Sequence, residues 1–269
     1  MPNPHQAVPH RFHVFGLFAF AVTSLFIAGC SSSTEEAPGP APEVEPALEI
    51  VALDRAVLDD PSRPQAERDQ DADRKPIDVY EFFGVQPGQT VADVYNADGY
   101  NTHLLSRLTG DGGTVYSVFE FYSDPELYKV DVVSQRLEDA GLANVELAMR
   151  LADVPAESVD VAVAIRNYHD VEWVFSDMKR ADQLAEFFRI VKPGGIVGIV
   201  EVATPNEGWD GPTHRLNKQV VIDDFTGVGF ELVEESDLLA VPGDDYTVDG
   251  FPERHKTDRY TLKFRKPGN

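Results

Sequence analysis

The chain has 269 residues, 46 of them acidic against 23 basic, for a formal net charge of −23. No cluster of Lys or Arg interrupts that excess, so charge repulsion excludes nucleic acid and anionic lipid surfaces as partners. One cysteine excludes an intramolecular disulfide, so the fold has no covalent staple in any compartment.

Residues 1–30 read as an address. Arg11 precedes an uncharged run from Val14 to Ile27 that ends in Ile27-Ala28-Gly29-Cys30. The run falls short of the ~20 residues a membrane-spanning helix needs and suits a signal-peptide core. Small residues before a single Cys form the pattern of a bacterial lipoprotein signal, in which Cys30 is lipidated and becomes the new N-terminus. Ser31, in place of an acidic residue, resembles the outer-membrane sorting signal. The expected location is therefore the bacterial cell envelope, periplasm-facing, with the membrane reached through the lipid only. Residues 31–46 are rich in Ser, Pro and Glu with almost nothing apolar to bury, and are expected to form an extended, disordered tether.

Residues 47–269 suffice for one domain with a sizeable core. Apolar runs of strand length alternate there with segments of helical period, the pattern of an α/β fold. Strands are expected at Thr90 to Tyr95, Gly113 to Phe119, weakly at Val145 to Met149, at Val159 to Ile165 and at Gly194 to Val202. Their continuous Val, Ile and Ala content suits parallel strands covered on both faces. Amphipathic helices are expected in "THLLSRL", "PELYKVDVVSQRLEDAG", "KRADQLAEFFRIV" and "NKQVVIDDFTGVG". The strands "GFELVEES" and "DRYTLKFRK" close the order, the last able to pair antiparallel.

From about Asp60 onward this order, carried by "RKPIDVYEFFGVQPGQTVADV", "LADVPAESVDVAVAIRNYHD", "IVKPGGIVGIVEV" and "KTDRYTLKFRKP", resembles the class I S-adenosylmethionine-dependent methyltransferases, in particular an exported methyltransferase-like group. The resemblance implies a Rossmann-like fold: a seven-stranded, mostly parallel sheet with helices on both faces and an antiparallel last strand. It also implies S-adenosylmethionine as cofactor. In the superfamily the first strand ends in an acidic residue, here Asp93, and runs into a turn with glycine at alternate positions, here Tyr95, Ala97 and Gly99. Asp98 and Tyr100 flank the last of these. The acidic residue expected on the ribose would be Glu120, one position past Phe119, and Asp153 stands where an acidic side chain often accepts from adenine. Asn167 completes the expected cofactor set.

"NYHD" follows the fourth strand, where open α/β sheets place their ligands. His169 is a candidate general base with Asp170 orienting it, and Tyr168 and Tyr100 are candidates to line the methyl pocket. Glu201, His214 and Arg215 would complete a polar rim. A His169 that only satisfies buried carbonyls or caps a helix is the alternative. No HxH or HxxxH spacing supports a metal, so none is expected, and no G-x-S-x-G elbow supports nucleophilic hydrolysis. Two functions remain: a lipid-anchored methyltransferase acting on a small molecule or envelope component, or a catalytically silent binding or scaffolding lipoprotein. The two missing glycines favour the second; Asp93, Asp153 and "RNYHD" favour the first.

Overall fold

The computed structural model describes residues 51–120, 130–171, 173, 179–250 and 256–268. Cys30 and the Ser/Pro/Glu-rich stretch lie outside the described residues, as does the start of the second expected helix.

Seven strands form one sheet: β1 (Thr90–Val94), β2 (Thr114–Val118), β3 (Val145–Ala148), β4 (Val159–Ile165), β5 (Val191–Val202), β6 (Glu231–Ser236) and β7 (Arg259–Arg265). Their spatial order is β3-β2-β1-β4-β5-β7-β6. The first five are parallel, and β7 runs antiparallel between β5 and β6. This is the class I methyltransferase sheet that the sequence resemblance implied. The order reverses between β1 and β4, both of which leave the sheet there toward their C-terminal ends, and such a switch point opens a crevice for ligands.

Helices α1 (Pro76–Phe83), α2 (Tyr100–Thr109), α3 (Val130–Asp139), α4 (Arg180–Ile190) and α5 (Lys218–Gly227) cover it. Because strand side chains alternate, each central strand feeds two cores. Val91, Val161, Val163 and Val200 meet Tyr80 and Phe83 of α1 and Leu104 and Leu105 of α2. Ala92, Ala162, Ala164 and Ile199 meet Val133 of α3, Phe187 of α4 and Phe225 of α5. Helix α1 was not among the predicted elements. It starts with Pro76 at its first position and lies close on the sheet because Gly198 of β5 has no Cβ, which would collide with the Phe83 ring. Strand β5 begins at Val191 rather than at Gly194, so "KPGG" is part of the strand.

Candidate functional site

The turn after β1 holds its shape without two of the usual glycines. Tyr95 adopts φ +62°, a left-handed conformation that costs a side-chain-bearing residue free energy. Its ring is fully buried, packs edge-on against Phe187 at 6.0 Å, and its hydroxyl donates to Gln183 Oε1 at 3.2 Å. The aromatic ring is thus directed into the core under α4. Asn96 closes the turn: Nδ2 donates to Ser117 Oγ at 2.6 Å, and Oδ1 accepts from the Gly99 N–H at 2.7 Å. Gly99 is itself left-handed, φ +81°, and a Cβ there would collide with the Arg136 guanidinium of α3. The Asp98 carboxylate accepts from the Tyr100 N–H at 3.1 Å, a local turn contact just ahead of α2, whose N-cap is Gly99.

Asp93 lies beneath this turn. Oδ2 accepts from Thr102 Oγ1 at 2.7 Å, while Oδ1 is buried with no hydrogen-bond partner among the described residues. Burial pushes its carboxyl up to about 7, although the Thr102 hydroxyl acts in the opposite sense. Tyr100 is also buried; its hydroxyl donates to Asp71 Oδ1 at 2.6 Å and the Arg74 guanidinium stacks 4.2 Å from its ring centre. A small pocket opens beside it, lined among others by Arg74, Tyr80, Tyr100, Arg166, Val200 and Arg259.

Glu120 and Asp153 sit at the ends of β2 and β3. One Glu120 oxygen accepts from the Leu151 N–H and the other from Gln183 Nε2 at 3.0 Å, so the strand end does turn this side chain inward. Gln183 therefore joins Tyr95 to Glu120, a link no sequence spacing announces. Asp153 is exposed and accepts from the Arg150 N–H at 2.9 Å.

Past β4 the chain makes a single 3-10 turn, Tyr168–Asp170, that sends successive side chains in different directions. Asn167 Nδ2 donates to the Tyr95 carbonyl at 2.8 Å and ties this loop to the turn after β1; its Oδ1 is buried and unpartnered. Tyr168 does not line a methyl pocket: it is fully buried against Phe225, and its hydroxyl donates to Asp224 Oδ2 at 2.9 Å. His169 is held by Glu201, which lies fully buried on β5. Its Nδ1 is 2.8 Å from Glu201 Oε2, and its backbone N–H donates to Glu201 Oε1 at 3.2 Å. The orienting carboxylate is thus Glu201 rather than Asp170, whose Oδ1 lies 3.3 Å from Nε2 on the other side of the ring. Burial disfavours the imidazolium, but the charges of Glu201 and Asp170 and the Glu201 hydrogen bond outweigh it and raise the His169 pKa. Burial likewise raises the Asp170 carboxyl.

The loop after β5 supplies the remaining walls. Trp209 stacks on His169 at 5.1 Å and 10° and on Trp173 at 6.1 Å, and His214 meets both His169 and Trp209 edge-on. Trp209 was missed in the sequence; an aromatic inside "EGWDGP", a polar Gly/Pro loop at a strand's C-terminal end, is the signal that could have found it. Arg215, expected on the rim, is fully buried and pairs with Asp244 at 2.7 Å, so it anchors this loop instead. Sequence spacing announces no metal site, because His214 lies 44 positions beyond Asp170 in the chain. The fold brings His169, Asp170 and His214 together, with one ligand atom of each within 4.8 Å of the others.

No family model matches the chain. A ubiquinone/menaquinone biosynthesis C-methyltransferase UbiE from Legionella pneumophila (strain Lens) is 29% identical over 132 residues, 46% of this chain and 47% of that protein. The chain thus spans about half the length of such curated relatives. A SAM dependent methyltransferase from Aquifex aeolicus superposes with a TM-score of 0.56 at 18% identity, covering 79% of this chain and 98% of that one. The [4+2]-cyclase SpnF superposes equally well, TM-score 0.56 at 19% identity, covering 74% and 83%. A cyclase on the same sheet shows that this fold alone does not decide the reaction.

Proposed function

We propose that the chain is a class I methyltransferase that uses S-adenosylmethionine on a small-molecule acceptor. The observation that carries this reading is Tyr95. Its positive φ keeps the backbone course of the glycine-rich turn, while its ring lies in the core, so the missing glycine has not filled the turn with a side chain. The buried, unpartnered acceptors Asp93 Oδ1 and Asn167 Oδ1 suit a ligand that brings N–H or O–H donors to this place. Asp93, Gly99, Tyr100 and Asn167 would hold that cofactor from the β1 and β4 sides, with Glu120 and Asp153 at the ends of β2 and β3.

When bound, S-adenosylmethionine supplies an electrophilic methyl group. The chain's own contribution is to position an acceptor and to take its proton. His169, fixed by Glu201 through Nδ1, presents Nε2 as the proton-accepting atom once the ring is neutral. The stacked Trp209 and the buried Glu201 restrict water around that ring. The small pocket beside Tyr100 offers an apolar wall at Val200 and the guanidinium groups of Arg74 and Arg166 to one end of an acceptor, while Arg259 is already paired with Asp73.

Calorimetric titration with S-adenosylmethionine and its demethylated product tests the reading. Measurable wild-type affinity, weakened in Asp93→Ala, is the expected result; no binding at millimolar cofactor would leave the scaffold alternative standing. We further propose that the chain is exported and anchored through lipidated Cys30, facing the periplasm from the outer membrane. Cys30→Ser should then release it from the membrane fraction or leave it unprocessed, and an unchanged distribution together with no acyl label on the wild type would refute the anchor.

A further inference from the structure

We propose that His169, Asp170 and His214 form a binding site for one divalent first-row transition-metal ion, with Zn2+ the best match. Two imidazoles and a carboxylate are a donor set that such ions favour over Mg2+ or Ca2+. The geometry is close to a bound state. With metal bonds of about 2.1 Å, two ligands on one ion stand roughly 3.0–3.4 Å apart, and His169 Nε2 and Asp170 Oδ1 are 3.3 Å apart. One ligand atom of His214 lies within 4.8 Å of one each from His169 and Asp170, on a half-exposed side chain whose Nδ1 is 4.0 Å from Asp249 Oδ1.

The surroundings have the form that metal-ligating histidines share. Such a histidine offers one nitrogen to the ion and gives the other to a carboxylate, which sets its tautomer and orientation. Glu201, fully buried, does this for His169 through Nδ1. His169 stands between the Asp170 and Glu201 carboxylates, so the two side chains nearest its ring are ones that a dication favours. His214 takes φ +52°, and its ring meets His169 edge-on at 5.5 Å. Three protein ligands leave a position for water or for a hydroxyl or carbonyl oxygen.

A metal on His169 Nε2 would occupy the lone pair that the proposed general base uses, so His169 takes protons only in the metal-free protein; cofactor binding does not use that atom, and the test therefore keeps the metal site and the cofactor site apart. The purified full-length chain, stripped with a chelator, is titrated with Zn2+ by calorimetry and with Co2+ by visible absorption, and S-adenosylmethionine binding is measured on the same samples. One equivalent of metal should bind, with His214→Ala losing at least about 100-fold in affinity and Glu201→Gln about 10-fold or more. Circular dichroism establishes that each variant is folded, and Asp170→Asn supplies a second ligand change should His214→Ala fail to fold. No stoichiometric binding, or binding unchanged in both ligand variants, overturns the site. Cofactor affinity present without metal binding would sink this inference alone, and metal binding without cofactor affinity would sink the methyltransferase reading alone.

Discussion

The turn after β1 and the loops after β4 and β5 lie at neighbouring C-terminal strand ends, and Asn167 Nδ2 donates across to the Tyr95 carbonyl. They are built in opposite ways. In the turn, shape is carried by backbone: two left-handed residues and the Asn96 side chain that closes the loop. Beneath it Asp93 Oδ1 is buried with no hydrogen-bond partner among the described residues. In the loops, side chains do the holding, with His169 between two carboxylates and one indole stacked on its face. A region that depends on backbone course tolerates a changed side chain so long as the new one has somewhere else to go. A region that depends on a buried pair tolerates the loss of neither partner.

That contrast predicts its largest effect at Glu201. Glu201→Ala removes the carboxylate that holds both the ring and the backbone of His169, and should cost about 3–5 kcal/mol of stability in chemical denaturation. A cost below about 1 kcal/mol would show that the pair is not structural. Tyr95→Gly should lose about 2–3 kcal/mol, because the emptied aromatic space outweighs the relief of a left-handed conformation. Cofactor affinity in that variant should stay within a few-fold of wild type. A large gain in affinity would instead mean that the ring obstructs the turn.

A third test concerns Asp93. Its carboxyl titrates at about 7 in the fold against 3.8 ordinarily, so the folded state holds more protons than the unfolded chain between those values. Stability of the ligand-free protein should therefore fall as pH rises from about 4 to about 7, with a slope approaching 1.4 kcal/mol per pH unit, and Asp93→Asn should flatten it. Denaturation midpoints across that window check the sign. The smallest effect belongs to Asp153, which is exposed and, among the described residues, engaged by Arg150: Asp153→Ala should weaken S-adenosylmethionine binding by about 1 kcal/mol in calorimetry. No change would remove it from the cofactor set.

The sequence by itself determined the sheet. Apolar runs with turn residues between them specify strands buried on both faces, and the short connections leave few right-handed orders, so all seven strands are legible, even β3. Helix α1 was not read because its use depends on Gly198, more than a hundred residues away, making room for Phe83. The same distance problem governs the site. Periodicity places Asp93, Glu120, Asn167 and His169 at strand ends, but it says nothing about where each side chain turns. Only the tertiary structure decided that Tyr95 enters the core, that Tyr168 serves the packing of α5, that Glu201 grips His169, and that His214 stands beside Asp170. These are choices among directions at a chain bend, made by which neighbour offers an apolar surface or an opposite charge, and that neighbour comes from a distant strand.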